Sequence, residues 1–285
     1  MRSVVVTGAS TGIGRSAAGV LIGQGFRVFA GVRSDADAQR LSAELGERCV
    51  PLRVDVTDAA EVARAAETVA ATIGTERLAG LVNNAGIAVP GPLLALSIDD
   101  FRRQLEVNLI GQLTVTQAFA PLIGTDPARS GEPGRIVMIS SVGGRNAAPF
   151  LGPYAASKFA LEGLSESLRR ELMIFGIDVI VVAPGAVATP IWDKADAIDI
   201  TPYASTPYAE ALATLKRQMI AMGRNGLPPE RVGAVIATAL TAARPRTRYT
   251  YTVTPEPVQN FLANALPKRL VDRLIAKRLG LRRQP

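Results

Sequence analysis

The chain has 285 residues, 48% of them hydrophobic, with 32 Lys and Arg against 25 Asp and Glu for a net charge of +7. This composition excludes a disordered chain and supplies a sizeable core. The absence of histidine excludes Ser-His-Asp catalysis, histidine general bases and histidine-ligated zinc together, so no metal is expected.

Read in chain order, short apolar runs alternate with stretches of helical period, the pattern of repeated βαβ units around a parallel sheet. A first strand at 3–7 follows Met1-Arg2 with no signal-like apolar region, and no run of about 18 apolar residues occurs later, so a cytoplasmic chain is expected. A helix at 12–24, a strand at 27–32 and a helix at 37–45 follow. The third strand, 49–54, starts with the single Cys49, which reads as a small core residue in a reducing compartment. Then come a helix at 59–73 with Thr57 or Asp58 as N-cap, a strand at 78–83, and a long helix at 98–121 with Ser97 or Asp99 as N-cap. A strand at 134–140, a helix at 154–175, a strand at 177–183, a helix at 229–243 and an alternating Tyr/Thr/Val strand at 248–253 complete the series. Seven strands suffice for a doubly wound parallel sheet with helices on both faces, a single Rossmann-type α/β domain over 1–260. The irregular segment 189–226 is read as a substrate lid, because open α/β sheets bind ligands beyond the carboxyl ends of their strands.

The positive charge is concentrated at the end. Residues 261–285 hold seven basic side chains and one acidic, leaving 25 basic and 24 acidic elsewhere, so no basic groove for nucleic acid is expected. Over 268–279 the spacing sets Leu270, Val271, Leu274, Ile275 and Leu279 on one half of a helix and Arg269, Arg273 and Lys277 on the other. Such a helix suits packing on its own domain or a neighbouring subunit, and it also suits a reversible anchor on anionic lipid.

The chemistry is concentrated in a few motifs. The first strand ends in Thr7-Gly8-Ala9-Ser10-Thr11-Gly12-Ile13-Gly14 and runs directly into a helix. Glycines there let a pyrophosphate approach the backbone while the helix N-terminus supplies N–H donors, although three glycines also suit close helix-strand packing. Tyr154 and Lys158 stand four positions apart at a helix start, so both side chains leave the same face. A phenol titrates near pH 10, and a neighbouring ammonium stabilises phenolate; lowering its pKa by two to three units takes about 3 to 4 kcal/mol.

Together these residues resemble the short-chain dehydrogenase/reductase family, whose fingerprint TGxxxGxG matches Thr7 to Gly14. Asn83-Asn84-Ala85-Gly86 is similar to the family's NNAG, Tyr154 to Lys158 to its YxxxK, and Pro184 to Thr189 to the PGxxxT segment that closes over the nicotinamide. The resemblance runs from Val4 to about Ala243. It implies nicotinamide-dependent oxidoreduction of alcohols and carbonyls by a homodimer or homotetramer built through the helices beginning near Ile98 and Tyr154. It also implies that Ser141, thirteen positions before Tyr154, is the catalytic serine, with adjacent Ser140 as its competitor. Asn108 takes the place of the helix asparagine that helps hold a water joining the lysine to solvent. The catalytic set is then Asn108, Ser141, Tyr154 and Lys158. Cofactor-side residues are Gly8, Ser10, Thr11, Gly12, Ile13, Gly14, Asn83, Ala85, Gly86, Pro184, Gly185, Val187 and Thr189, with Asp55 and Val56 flanking the adenine and Tyr154 and Lys158 at the nicotinamide end.

NAD-selecting relatives carry an acidic residue where this chain has Val32, and the next residue, Arg33, has a forked cation suited to a 2′-phosphate. NADP(H) is therefore favoured, with NAD(H) the alternative. Ser141, Val142, Phe150, Tyr154, Ile191 and Trp192 are expected to line an apolar substrate site, pointing to a hydrophobic ketone or secondary alcohol of steroid, retinoid or hydroxy-acid type. The competing readings are an NAD-dependent alcohol dehydrogenase of the same family and a non-catalytic nucleotide-binding regulator. The latter would show a damaged Ser/Tyr/Lys set, and here the set is complete.

Overall fold

In the computed structural model, which describes residues 1–252 and 267–281, seven strands form one sheet. They are β1 (Ser3–Val6), β2 (Arg27–Val32), β3 (Cys49–Arg53), β4 (Gly80–Asn83), β5 (Arg135–Ile139), β6 (Asp178–Pro184) and β7 (Arg248–Tyr251), in the order β3-β2-β1-β4-β5-β6-β7. Every neighbouring pair is parallel, with Val4 opposite Val28 on one side and Gly80 on the other. The order reverses between β1 and β4, where an open α/β sheet leaves a crevice at the carboxyl ends. Val253, the last residue of the expected seventh strand, lies outside the described residues, as do 261–266 and 282–285 of the basic tail.

Continuous apolar strands arise because both faces are covered and side chains alternate between them. Val4, Val6, Val28, Ala30, Val137 and Val182 face one layer, formed with α1 (Gly12–Gly23) and α9 (Pro229–Thr241). Val5, Phe29, Leu81, Ile136, Met138 and Val179 face the other, formed with α3 (Ala59–Ile73), α5 (Gly111–Ala120) and α6 (Gly152–Glu171). Cys49 is buried in the first layer, where burial raises its thiol pKa.

The caps settle the open alternatives. Asp58, rather than Thr57, accepts from the N–H groups of Ala60 and Glu61, and Ser97, rather than Asp99, accepts from that of Asp100. Ser34 caps α2 (Asp35–Leu45), which begins two residues earlier than its periodicity implies. The expected helix 98–121 is α4 (Ile98–Leu105), a π turn at Glu106–Ile110 and then α5. The expected helix 154–175 begins earlier, at Gly152, and tightens to 3₁₀ over Leu172–Phe175. The segment 189–226 contains α7 (Ile191–Asp196) and α8 (Ala209–Arg224), so the expected lid is mostly helical. The last described helix is α10 (Lys268–Leu279).

Candidate active site

The glycine turn is shaped by what a Cβ would strike. Gly8 and Gly12 have φ of 62° and 57°, a region L side chains rarely adopt. A Cβ on Gly8 would stand 2.9 Å from Ala85 Cα, one on Gly12 would stand 3.1 Å from Thr189 Cβ, and one on Gly14 would collide with the Gly8 carbonyl. The turn, the loop after β4 and the Pro184–Thr189 segment therefore meet in a bare-backbone cradle at the N-terminus of α1, the surroundings a pyrophosphate needs. Asn84, part of the NNAG-like motif but not among the expected site residues, holds this cradle: its Nδ2 donates to the carbonyls of Thr7 at 2.9 Å and Gly8 at 3.0 Å. Ala85 N–H donates to Thr7 Oγ1. Ile13 is half-buried, and Thr11 is the N-cap of α1 by backbone alone, without a side-chain bond.

At the adenosine end Arg33 is exposed past β2 and forms no ion pair among the described residues. The Ser10 carbonyl accepts from Arg40 Nη2 at 2.8 Å, and Arg40 pairs with Asp37 at 2.6 Å. Burial works against the Asp55 carboxylate, but bonds from Thr57 and the charge of Arg33 leave its pKa below the ordinary value. Val56 is buried against Gly111. Asn83 is fully buried, its Nδ2 donating to Thr116 Oγ1 at 2.8 Å while its Oδ1 has no partner. Its side chain thus ties sheet to helix rather than lining the cofactor cleft. Pro184 ends β6, Gly185 N–H donates to the Tyr251 carbonyl, and Val187 is buried beside the lid.

At the carboxyl end of β5, Ser141 Oγ accepts from Gly143 N–H at 3.0 Å and lies beside the Tyr154 phenol, whose pKa it lowers against burial. Ser140 is buried with its Oγ unpartnered, so of the two serines it is Ser141 that meets the phenol. Lys158 is 4% exposed; its Nζ donates to the Ile139 carbonyl at 2.8 Å and lies 5.9 Å from the Tyr154 ring centroid. Burial lowers the Lys158 pKa to about 8, against the raising influence of Glu162. Tyr154 departs from the sequence expectation: burial pushes its phenol pKa up, and the opposing influence is the Ser141 hydroxyl, not the lysine.

Asn108 sits in the π turn, fully buried, with Oδ1 accepting from Ile87 N–H at 2.8 Å. Its Nδ2 donates to the Ile87 carbonyl at 3.0 Å and to Ser157 Oγ at 3.1 Å. Gln104, which the sequence reading passed over, is also fully buried: Oε1 accepts from Val89 N–H at 2.7 Å and Nε2 donates to the Ile87 carbonyl. Gln112 Nε2 donates to the Ala85 carbonyl at 3.2 Å.

On the substrate side, Val142 lies in a 3₁₀ turn and Ile191 is exposed on α7. Two expected lining residues are used otherwise. Phe150, at a φ of 62° unusual for a side chain, is 7% exposed, packed with Ala211 and Leu212 of α8 and Leu279 of α10, its ring edge-on to Tyr208. Trp192 donates its indole N–H to the Val187 carbonyl at 2.7 Å and lies against Gly223, pinning α7 to α8. A cavity of about 230 Å³ lies between the loop after β4 and the segment 189–226, lined by Val89, Leu96, Asp100, Arg103, Ile198 and Tyr203. Among the described residues no cluster of His, Cys, Asp and Glu could hold a metal ion, and no helix is long and apolar enough to cross a membrane.

Comparison with known proteins agrees with this geometry. Residues 2–198 match the short chain dehydrogenase family model. The chain is 36% identical over 280 residues to an NADPH-dependent 3-dehydrocapnine reductase of Ornithobacterium rhinotracheale, covering 98% of each. It is 38% identical to retinol dehydrogenase 5 of Mus musculus, covering 95% of this chain and 87% of that one. Among solved structures, a short-chain dehydrogenase from Streptomyces avermitilis superposes with a TM-score of 0.75 at 26% identity, covering 98% of this chain and 97% of that one. A short chain dehydrogenase/reductase from Burkholderia phymatum in complex with NAD gives 0.78 at 25% identity, covering 96% and 95%. The chain belongs to the short-chain dehydrogenase/reductase family, oxidoreductases that interconvert alcohol and carbonyl groups with a nicotinamide cofactor.

Proposed function

We propose that this enzyme transfers a hydride between NADP(H) and the carbonyl or secondary alcohol of an apolar small molecule. The observation that carries the reading is the convergence of Ser141, Tyr154 and Lys158 at the carboxyl end of β5, beside the bare-backbone cradle. The nicotinamide, when bound, supplies or accepts the hydride. The cradle and the N-terminus of α1 hold the pyrophosphate, and Thr189, in contact with Gly12, closes that end. Ser141 hydrogen-bonds the substrate oxygen. Tyr154 gives that oxygen a proton in reduction and takes it back in oxidation. Lys158 keeps a positive charge behind the phenol, held by the Ile139 carbonyl. Asn108 acts one step further back, fixing Ser157 on the helix that carries Lys158.

The NADP(H) preference rests on the exposed Arg33 guanidinium past β2 and on Val32 standing where NAD-selecting relatives carry an acidic residue, and it agrees with the NADPH-dependent relative. Burial keeps the Tyr154 phenol protonated at neutrality, the form that donates in carbonyl reduction, and the positive charge of Lys158 behind it eases the release of that proton. The exposed Phe159 and Ile110, on α6 and the π turn, support a homodimer or homotetramer built through these helices.

The test is a fluorescence titration of wild type and Arg33→Ala with NADPH and NADH, followed by ketone-dependent NADPH oxidation in wild type and Tyr154→Phe. Tighter NADPH binding, weakened selectively in the Arg33 variant, is expected, with a turnover loss of about 10² to 10⁴ on removing the phenol hydroxyl. Equal binding of the two cofactors would overturn the 2′-phosphate assignment. Turnover above about a tenth of wild type in Tyr154→Phe would overturn the acid-base assignment.

A further inference from the structure

The last described helix has two faces with different uses. Val271, Ile275 and Leu279 follow one another at helical spacing, and Ile275 and the buried Leu279 join the small core formed by Phe150 and α8. Arg278 Nε fastens the same side to Gln218 Oε1 of α8 at 2.9 Å. The helix thus packs on the lid of its own domain, the first of the uses its sequence allowed.

The outward face is not explained by that packing. Leu270 is 40% exposed and Leu274 53%, one turn apart. Beside them stand Arg269, Arg273 and Lys277, with Lys268 at the start of the helix; all four are exposed and none is in an ion pair among the described residues. Some exposed arginines elsewhere are answered within their own neighbourhood, Arg102 and Arg103 on α4 by Asp99 and Asp100, Arg170 on α6 by Glu166, and Arg224 on α8 by Asp193 and Asp196, whereas Arg64 on α3 and Arg231 on α9 stand singly without an ion pair among the described residues. An ordinary solvated helix face interlaces the two signs. On α10 the one acidic residue is Asp272, and the sequence continues to Arg282 and Arg283 without another. Leucines flanked by long cations form the outward pattern of a helix lying in a bilayer interface, where leucines enter the acyl boundary and lysine and arginine stems reach up to the headgroups.

We propose that the outward face of α10 is a docking surface for an anionic lipid bilayer. Anionic lipid, rather than an acidic protein or a second copy of this chain, is favoured by charge complementarity. Three cations without an ion pair among the described residues, Arg269, Arg273 and Lys277, flank an apolar strip only two leucines wide, with Lys268 at the helix start, and that strip is too small for the hydrophobic core of a stable protein interface. Docking would set the lid against the membrane. The helix shares one apolar cluster with α8 and with Phe150, four residues before Tyr154, and the lid also exposes Met222 and Ile191. An apolar substrate could then pass from the acyl region under the lid without crossing water.

Sedimentation of the full chain with vesicles of phosphatidylcholine alone, and of phosphatidylcholine mixed with phosphatidylglycerol, tests this independently of the hydride chemistry. Wild type should pellet with the mixed vesicles and be released by salt. Replacing Lys268, Arg269, Arg273 and Lys277 by Gln should weaken partitioning about fivefold per charge, several hundredfold in all. Leu270→Ser/Leu274→Ser should weaken it about tenfold or more with salt sensitivity retained. Unchanged melting and NADPH titration in both variants would show that the fold is intact. Wild type that stays in the supernatant, or a glutamine variant that pellets equally, would overturn the proposal. So would a fall in sedimentation coefficient of the leucine variant without vesicles, which would mark the face as a contact between copies of this chain.

Discussion

Glu162 lies one helical turn beyond Lys158 and is 16% exposed, paired with the 13% exposed Arg248 of β7 at 3.1 Å. It therefore faces two cations, and its removal should affect stability and catalysis in separable ways. Neutralising one partner of this largely buried pair takes the ionic partner from Arg248, which keeps its bond to Thr250, at a cost of about 3 kcal/mol, the low end for such pairs because some solvent reaches this one and other bonds remain. For a chain of 285 residues that lowers the melting temperature by roughly 5 °C. The catalytic effect has a definite sign. Glu162 raises the Lys158 pKa against burial, which brings it to about 8, so without the carboxylate the ammonium is lost at lower pH. The charges facing Lys158 are Glu162 on its own helix and, behind it, Arg248 on β7, while β5 presents the Ile139 carbonyl. In Glu162→Gln, the ratio of variant to wild-type turnover should fall steadily as the assay is taken from about pH 6.5 to about pH 8.5, because the alkaline limb has moved down. A parallel pH profile with only the melting temperature lowered would show that Glu162 merely braces β7 and would refute its electrostatic role.

Three further outcomes follow. The depression of Lys158 from 10.5 to about 8 means that holding its ammonium in the folded protein costs about 3 kcal/mol at neutral pH. The folded lysine deprotonates first, so wild-type stability climbs between about pH 8 and 10.5. Lys158→Met should accordingly be inactive yet melt no lower than wild type at pH 7, with any advantage shrinking above pH 8; a lower melting point at pH 7 would contradict this. Gly14→Ala drives a methyl into the Gly8 carbonyl and to 2.5 Å from Asn84 Nδ2, so NADPH affinity by fluorescence titration should drop tenfold or more, and unchanged affinity would remove Gly14 from the cradle. Trp192→Phe loses the bond to Val187 and loosens α7 from α8, so KM for an apolar substrate should rise severalfold while kcat holds; an equal fall in kcat alone would place the indole in the chemistry instead.

The sheet was legible because each strand is buried on both faces and so reads as an uninterrupted apolar run between turn residues. The glycine cradle was legible for a related reason: only glycine can hold positive φ and tolerate a backbone at van der Waals distance, so the constraint is written in residue identity. What was not legible depends on partners distant in the chain. Phe150 and Trp192 are apolar residues near the site whether they touch substrate or brace its surroundings, and only the placement of α8 and α10 shows that Phe150 packs on these helices and that Trp192 joins α7 to α8. The Tyr154 pKa went the other way from expectation because sequence spacing shows a neighbouring cation but not how much water the fold removes from the phenol. Asn83 was recognisable as part of a motif, but the burial that turns its side chain towards Thr116 was not.

The π turn has a physical reason that joins these observations. Gln104, Asn108, Gln112 and Thr116 recur every four residues along α4, the π turn and α5, and each is at most 2% exposed. They bond in reverse order to alternate residues of one extended segment: Thr116 with Asn83, Gln112 with Ala85, Asn108 with Ile87 and Gln104 with Val89. Four helical residues rise about 6 Å and two extended residues about 6.6 Å, so helix and strand keep step along this seam. Side chains every four residues of a 3.6-residue helix would drift about 40° per step around the axis. A wider π turn reduces that drift, and it is placed at Asn108, midway along the ladder. Helices α4, α5 and α6 with the π turn between them carry seven of the buried polar or charged residues, whereas α1 and α9 on the other face contribute Ser16 alone. One face of the sheet is therefore packing, and the other spends desolvated polar groups to fix the loop after β4 against the helix that carries Tyr154 and Lys158, where an error of about 1 Å would cost about 10²-fold in rate.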